Sequence, residues 1–278
     1  MIKSVWIDNF KSLVDFELEL SKFNCLVGLN GSGKSTVLQA MDFLSQLMVG
    51  DLDNWLQQRH WESADLNSKL TKKSNIDFKV VIDLPRFGEV TWMGSVNRSS
   101  LSCTHESIQI KKHLLFRVDN GVCMMRKPYD LDKGEIIEAF PIDFVELTYL
   151  TDKFSIVFEY QGSILSQLKD KQTNILLQAL KESILQIRSL DLLSPELLRS
   201  RTKLSSGKLG LGGQHLSAFI HESGKQGKDN LKRLLGDVYA QLVSIETRSL
   251  RSGWKQLEIT EQYNGQTLKS TARHINDG

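Results

Sequence analysis

No apolar run in this 278-residue chain approaches the roughly 20 residues that cross a bilayer. The opening residues, MIKSVWIDNF, lack the long apolar stretch of a signal peptide. Together these absences predict a chain with no membrane partner, working in bacterial or viral cytoplasm. Cysteine is scarce, with three residues at Cys25, Cys103 and Cys123 and no CxxC pair. An odd, widely spaced set excludes a disulfide framework and a zinc ribbon, and predicts small buried hydrophobes in a reducing compartment. Strong net charge is missing too. The formal value is +2, so the whole-chain balance does not announce a nucleic-acid binder. Internal repeats and low-complexity tails are also absent. What remains, 40% hydrophobic and 24% charged, suffices for one large domain or two modest ones.

The first 50 residues are the most legible. Val5-Trp6-Ile7 reads as a short strand, and Phe16–Leu20 alternates apolar and charged as a half-buried strand does. Phe23–Val27 is a compact apolar run and predicts a buried strand entering a glycine-rich loop. Val37, Leu38, Met41, Leu44, Leu47 and Met48 then recur at helical spacing. Residues 51–75 predict helix and loop. From Ile76 the period becomes two, and residues 76–160 read as mostly antiparallel β. One hairpin is expected through Pro85–Gly88, one at Asn120-Gly121, and a further strand over Phe154–Tyr160. Residues 164–193 turn helical, with an apolar face from Ile175 to Leu190. Leu204–Gln214 reads as a loop, Leu231–Leu242 as a helix, and Asn264-Gly265 as the turn of a last hairpin. The resulting division is 1–160, a nucleotide-binding lobe with a β-hairpin subdomain, and 161–278, a mainly helical lobe.

Gly28-Leu29-Asn30-Gly31-Ser32-Gly33-Lys34-Ser35 fits G-x-x-x-x-G-K-[ST] at every position. The chemistry explains the residue types. Glycines let successive backbone N–H groups converge on phosphate oxygens, and the following helix points its positive dipole end at the same anion. Lys34 is expected on the β- and γ-phosphates, and Ser35 on Mg²⁺. Nucleotide contacts are expected from Asn30, Gly31, Ser32, Gly33, Lys34, Ser35 and Thr36, with ATP and Mg²⁺ as ligands. The bland reading is a glycine-rich turn beside an exposed lysine. The apolar run before the loop and the amphipathic helix after it argue against that.

Three stretches, Asn9-Phe10-Lys11-Ser12, Val27–Thr36 and Leu52–Arg59, together resemble the ABC-type ATPase heads of the SMC/RecF/OLD group. The nearest likeness is to short, armless bacterial AAA-family ATPases of the defence-associated type. It is strong over residues 1–60 and pattern-level beyond. It implies an α/β P-loop NTPase: an ABC-type head with an antiparallel β-rich lobe, a parallel core sheet and a helical lobe. It also implies that Lys11 and Ser12 lie near the nucleotide; the bland reading of Lys11 is a solvated lysine. The apolar face at 175–190 is too short for coiled-coil arms.

The same resemblance calls for a signature motif that touches a partner's γ-phosphate. Arg273–Gly278 is the preferred candidate, with Asn276, Asp277 and Gly278 as contacts and Asn276 standing where serine is usual. Leu204-Ser205-Ser206-Gly207-Lys208 is the alternative, its bland reading a mobile basic loop. The acid-ended strand of hydrolysis is not recognisable. Leu242–Glu246 is the only run that imitates it, and helical context reads it as core. Gln109, Gln161 and Gln167 are equal candidates for a metal-contacting glutamine. Asn-Asp-Gly is a poor stopping point for a domain, so either continuation past Gly278 or a natural truncation is expected, the first preferred.

The expected function is an ATP-dependent dimerising switch within a larger defence or DNA-repair effector system. Its partners would be a second copy or higher oligomer and an effector nuclease or other protein subunit. The alternative is a nucleotide-binding structural subunit that does not hydrolyse ATP. Nucleic-acid binding rests on analogy alone. A small-molecule kinase is disfavoured, because a kinase would continue βαβ where this chain runs into β hairpins.

Overall fold

The computed structural model describes residues 1–111, 113–119, 122–125, 145–146, 160–168, 175–190 and 195–272. The chain forms two compact units, Met1–Arg188 and Ser189–Gly278. The strand expected over Phe154–Tyr160, apart from Tyr160 itself, lies outside the described residues, as do Asn120-Gly121 and Arg273–Gly278.

The first unit is built on one antiparallel sheet. Its strands are β1 (Ile2–Asp8), β2 (Phe16–Glu19), β3 (Asn75–Leu84), β4 (Gly88–Asn97), β5 (Ser102–Ile110), β6 (His113–Asp119), β7 (Val122–Met125) and β8 (Val145–Glu146), in the order β2-β1-β3-β4-β5-β6-β7-β8. Strand β3 shows why the pairing is stable. Ile76, Phe78, Val80, Ile82 and Leu84 all point to one face and are buried, as a period of two requires. Trp92 on β4 is fully buried and packs against Phe78, ring centroids 4.5 Å apart and planes tilted by 59°.

Helix α1 (Lys34–Val49) belongs to the same core, with Phe43, Leu44 and Leu47 fully buried. Each such side chain contributes about 1.5–3 kcal/mol on leaving water. Helix α1 ends at Gly50, whose φ of 77° supplies the left-handed C-cap. Helix α2 (Leu52–Gln58) follows, and α3 (Ile175–Leu185) packs on α1. The helical reading of 164–193 is thus shorter than the apolar pattern. Ile187 still packs on the core, but Leu190 is 41% exposed.

Strand β5 lies within the stretch read as antiparallel β but was not marked individually, and a bulge opposite Ser95/Val96 shifts its register. Its buried residues are Cys103, Glu106, Ile108 and Ile110, a broken alternation with a carboxylate in the core. Glu106 is satisfied there by donors from Trp92 Nε1 at 2.8 Å, Ser163 Oγ at 2.5 Å and Ile164 N at 3.1 Å. Burial nevertheless pushes its carboxyl pKa up.

Phe23–Val27 is not a buried strand: it pairs with no described strand, and Phe23 is 83% and Val27 89% exposed. Asn24 accepts from Ser21 N at 3.0 Å and donates back to Ser21 O at 3.0 Å, a local turn that competes with strand pairing. Cys25 is accordingly exposed, whereas Cys103 is buried as expected. The parallel core sheet is not found either; among the described residues both sheets pair antiparallel throughout.

The second unit contains α4 (Pro195–Leu198), α5 (Leu216–Glu222), α6 (Gly224–Gly236) and a sheet ordered β11-β10-β9, formed by β9 (Leu242–Ser249), β10 (Lys255–Tyr263) and β11 (Gln266–Thr271). Ile220, Leu242, Ile245 and Leu257 form its core. Asn264 (φ 47°) and Gly265 (φ 81°) make the expected two-residue turn between β10 and β11. The helix predicted over Leu231–Leu242 stops at Gly236, and Leu242 opens a strand. Apolar residues at 242 and 245 have a helical spacing of three; the register shift opposite Thr260/Glu261 lets both join the core from a strand paired with β10.

Candidate nucleotide-binding site

The glycine loop leads directly into α1. Gly33 takes φ 90° as the N-cap and Gly31 φ 81°, conformations that a side chain would strain. At Gly28 an added Cβ would meet Ser32 Oγ at 2.8 Å. No side chain caps the helix start, and no acid stands in its first turn. The leading N–H groups of α1 are therefore uncapped by the protein, beside the positive end of the helix dipole. The Lys34 ammonium donates to the carbonyls of Gly28 (2.9 Å) and Leu29 (2.7 Å), with Ser32 Oγ at 3.4 Å. The lysine thus lies inside the loop that precedes it. Ser35 is exposed on the first turn of α1. These features fit a multiply charged anion held by backbone N–H groups and Lys34, with the Ser35 hydroxyl free for a hard cation.

The turn after β1 is fastened against this loop. Asn9 is fully buried at φ 62°, and its Nδ2 donates to Lys73 O (2.9 Å) and Asn75 O (2.7 Å). Its Oδ1 accepts from Ser68 N at 3.2 Å and from the Thr71 hydroxyl. Phe10, also fully buried, stacks on Phe43 of α1 with centroids 5.1 Å apart. With both neighbours locked, Lys11 and Ser12 are presented to α1. Ser12 Oγ lies 3.2 Å from Thr36 Oγ1, and Lys11 Nζ 3.1 Å from Gln39 Oε1. Lys11 and Ser12 therefore sit beside the loop residues that sequence spacing singled out, and Lys11 is not a freely solvated lysine.

Around Lys11 is a cluster the sequence did not announce. Its ammonium lies 3.0 Å from the Trp61 ring centroid, and the Arg59 guanidinium is 5.0 Å from the same ring. Arg59 pairs with Asp42 of α1 at 2.6 Å, and Trp55 Nε1 donates to the same carboxylate oxygen at 2.6 Å. Burial, then the Arg59 charge, lowers the Lys11 pKa to about 8, with Asp65 opposing. The available signal was Trp55 and Arg59 at i, i+4 within Leu52–Arg59, a segment that was noted without its partner Asp42.

The remaining candidates lie elsewhere. Asn276, Asp277 and Gly278 fall outside the described residues. In the alternative segment, Ser205 N (2.7 Å) and Ser205 Oγ (2.6 Å) donate to Glu222, and Gly207 N lies 3.5 Å from it. Those hydrogen bonds hold the Glu222 carboxyl below its usual range. The acid-ended run Leu242–Glu246 belongs to β9 of an antiparallel sheet, where Glu246 is exposed and pairs with Lys228 at 2.9 Å. Of the three glutamines, Gln161 donates to Asp53 Oδ2 at 2.5 Å and accepts from Asp53 N at 3.0 Å, at the start of α2.

Parts of the chain are similar to known proteins. A stretch is 40% identical over 52 residues to an OLD nuclease of Thermus scotoductus, covering 19% of this chain and 9% of that protein. Among solved structures, the recombination mediator protein RecF is 22% identical at a TM-score of 0.30, over 41% of this chain and 28% of that one. An SMC ATPase, described for ATP-driven dimerisation and DNA-stimulated activation, is 21% identical at a TM-score of 0.30, over 41% and 70%. The chain thus spans a small part of the OLD nuclease and of RecF. The family model for the AAA ATPase domain matches residues 1–266, nearly the whole chain, and the chain belongs to that family.

Proposed function

We propose that this AAA ATPase domain binds ATP with Mg²⁺ and acts as an ATP-dependent dimerising switch. The observation that carries the reading is the Lys34 ammonium enclosed by its own glycine loop at the uncapped start of α1. Lys11 and Ser12 stand beside that loop as further donors. Lys34 and the loop N–H groups bind the phosphates, and Ser35 orients Mg²⁺. Closure onto a second copy then reports the nucleotide to an effector, a nuclease or other protein subunit, in a cytoplasmic defence or repair system. A second reading, a nucleotide-binding subunit that does not hydrolyse ATP, is favoured for this chain by Glu246. Leu242–Glu246, the acid-ended run weighed for hydrolysis, pairs through Glu246 with Lys228 in the second unit's sheet.

Calorimetry with ATP and Mg²⁺ tests the site. Lys34→Ala removes charge-assisted hydrogen bonds and lowers affinity by about tenfold or more while the fold survives. Unchanged affinity overturns the assignment. Light scattering with a non-hydrolysable analogue tests the switch: a doubled mass supports it, and a monomer in saturating analogue refutes dimerisation by this chain.

A further inference from the structure

The chain's small positive excess is unevenly placed. Residues 189–278 carry 13 lysines and arginines against nine aspartates and glutamates, whereas residues 1–188 carry 22 against 24. The excess therefore belongs to the second unit, and part of it gathers on one concave surface. A pocket of about 880 Å³ is lined by Arg199, Arg201, Leu250, Arg251 and Trp254, with Glu196 as its one acid. Two segments distant in sequence build it. The bridge between Thr202 and Lys255, with Lys255 N donating to Thr202 O at 2.8 Å, fixes one to the other. The turn between β9 and β10 closes tightly, with Leu250 N donating to Trp254 O at 2.8 Å and Ser252 at φ 65°. That turn holds Arg251 and Trp254 against Arg199 and Arg201.

Two details suggest a ligand. Trp254 is 42% exposed, although an indole ring normally gains by burial, and Lys203 Nζ lies 5.4 Å from its centroid. Arg201 Nε is buried without an acceptor among the described residues. A buried donor without a partner costs free energy unless a ligand supplies the acceptor. An exposed flat ring offers a stacking platform, and guanidinium forks match phosphate oxygens. Inorganic phosphate would use the arginines and leave the ring idle. A duplex would present phosphates and hide the faces of its bases. A single-stranded nucleic acid uses both chemistries, stacking a base on the ring and laying its backbone along the cations.

We infer that the concave face formed by Arg199, Arg201, Lys203, Arg251 and Trp254 binds single-stranded nucleic acid. Trp254 stacks on a base, and the arginines hold the flanking phosphates. The site lies wholly within the second unit and does not depend on the ATP reading.

Fluorescence anisotropy on the full chain without ATP tests it, using a labelled oligothymidine of about 16 nucleotides, an oligouridine of the same length and a duplex. Expected is saturable binding of the single strands, weaker for the duplex, with affinity falling as salt rises. Trp254→Ala weakens single-strand binding about tenfold, Trp254→Phe retains most of it, and Arg251→Ala lowers the salt slope by about 0.7. An unchanged far-UV circular dichroism spectrum and urea midpoint for Trp254→Ala show that the variant is folded, and an unchanged calorimetric ATP affinity separates this site from the nucleotide site. The inference is overturned if the wild type binds no single strand at low salt. It is equally overturned if the duplex binds as tightly, or if both the Trp254→Ala and Arg251→Ala variants bind like the wild type.

Discussion

The ammonium of Lys11 lies 3.0 Å from the centroid of the Trp61 ring, joining two residues 50 positions apart beside the glycine loop. Cation–π attraction holds the lysine there, while burial and the Arg59 guanidinium ease its deprotonation. A lysine with a pKa of about 8 titrates within the working range of most assays.

Phosphate favours the charged ammonium, so ATP affinity is greatest below the Lys11 pKa and is lost as pH rises through about 8. A fall of roughly tenfold between pH 7 and pH 9 is expected from the loss of one charge-assisted hydrogen bond. Lys11→Arg keeps its charge throughout and flattens this part of the profile. Calorimetric titrations at several pH values decide it. An unchanged slope in Lys11→Arg would remove Lys11 from the site.

In the proposed site Ser35 and Lys34 take different ligands. Its exposed hydroxyl on the first turn of α1 suits a hard cation, not the phosphate itself. Ser35→Ala therefore weakens ATP severalfold with Mg²⁺ and barely at all in EDTA. Equal losses under both conditions contradict metal contact.

The Asp42–Arg59 pair is a stability element. Both side chains are about nine-tenths buried, and the carboxylate also accepts from Trp55. Asp42→Ala leaves a buried guanidinium uncompensated and costs about 3–5 kcal/mol in urea unfolding. Asp42→Asn keeps an acceptor for Trp55 and costs less. A loss below about 1 kcal/mol for Asp42→Ala, the value of an exposed pair, would show that Arg59 finds another partner.

Glu246 gives the complementary expectation. It is exposed, salt-bridged to Lys228 and set in the antiparallel sheet of the second unit. Glu246→Gln should leave phosphate release by this chain unchanged and cost no more than about 1 kcal/mol of stability. Turnover abolished by this substitution would restore Glu246 as the acid that orients water.

Sequence alone determined the features that are local. The glycine loop and the helix start at Lys34 were legible because such conformations are dictated within about ten residues. The β10–β11 turn was legible because Asn-Gly itself favours the backbone it needs. Tertiary structure decided what depends on a distant partner. Phe23–Val27 has the composition of a buried strand, yet burial requires a neighbouring strand, and none described pairs with it. Leu242 and Ile245 have a helical spacing, yet hydrogen bonding to β10 with a register shift made the segment a strand. Asn9 looked like part of a motif. Its role as the pin of the Lys11–Ser12 turn depends on Ser68, Lys73 and Asn75, about 60 residues away. Periodicity records which face of an element is apolar; it carries no information about which distant side chain meets that face.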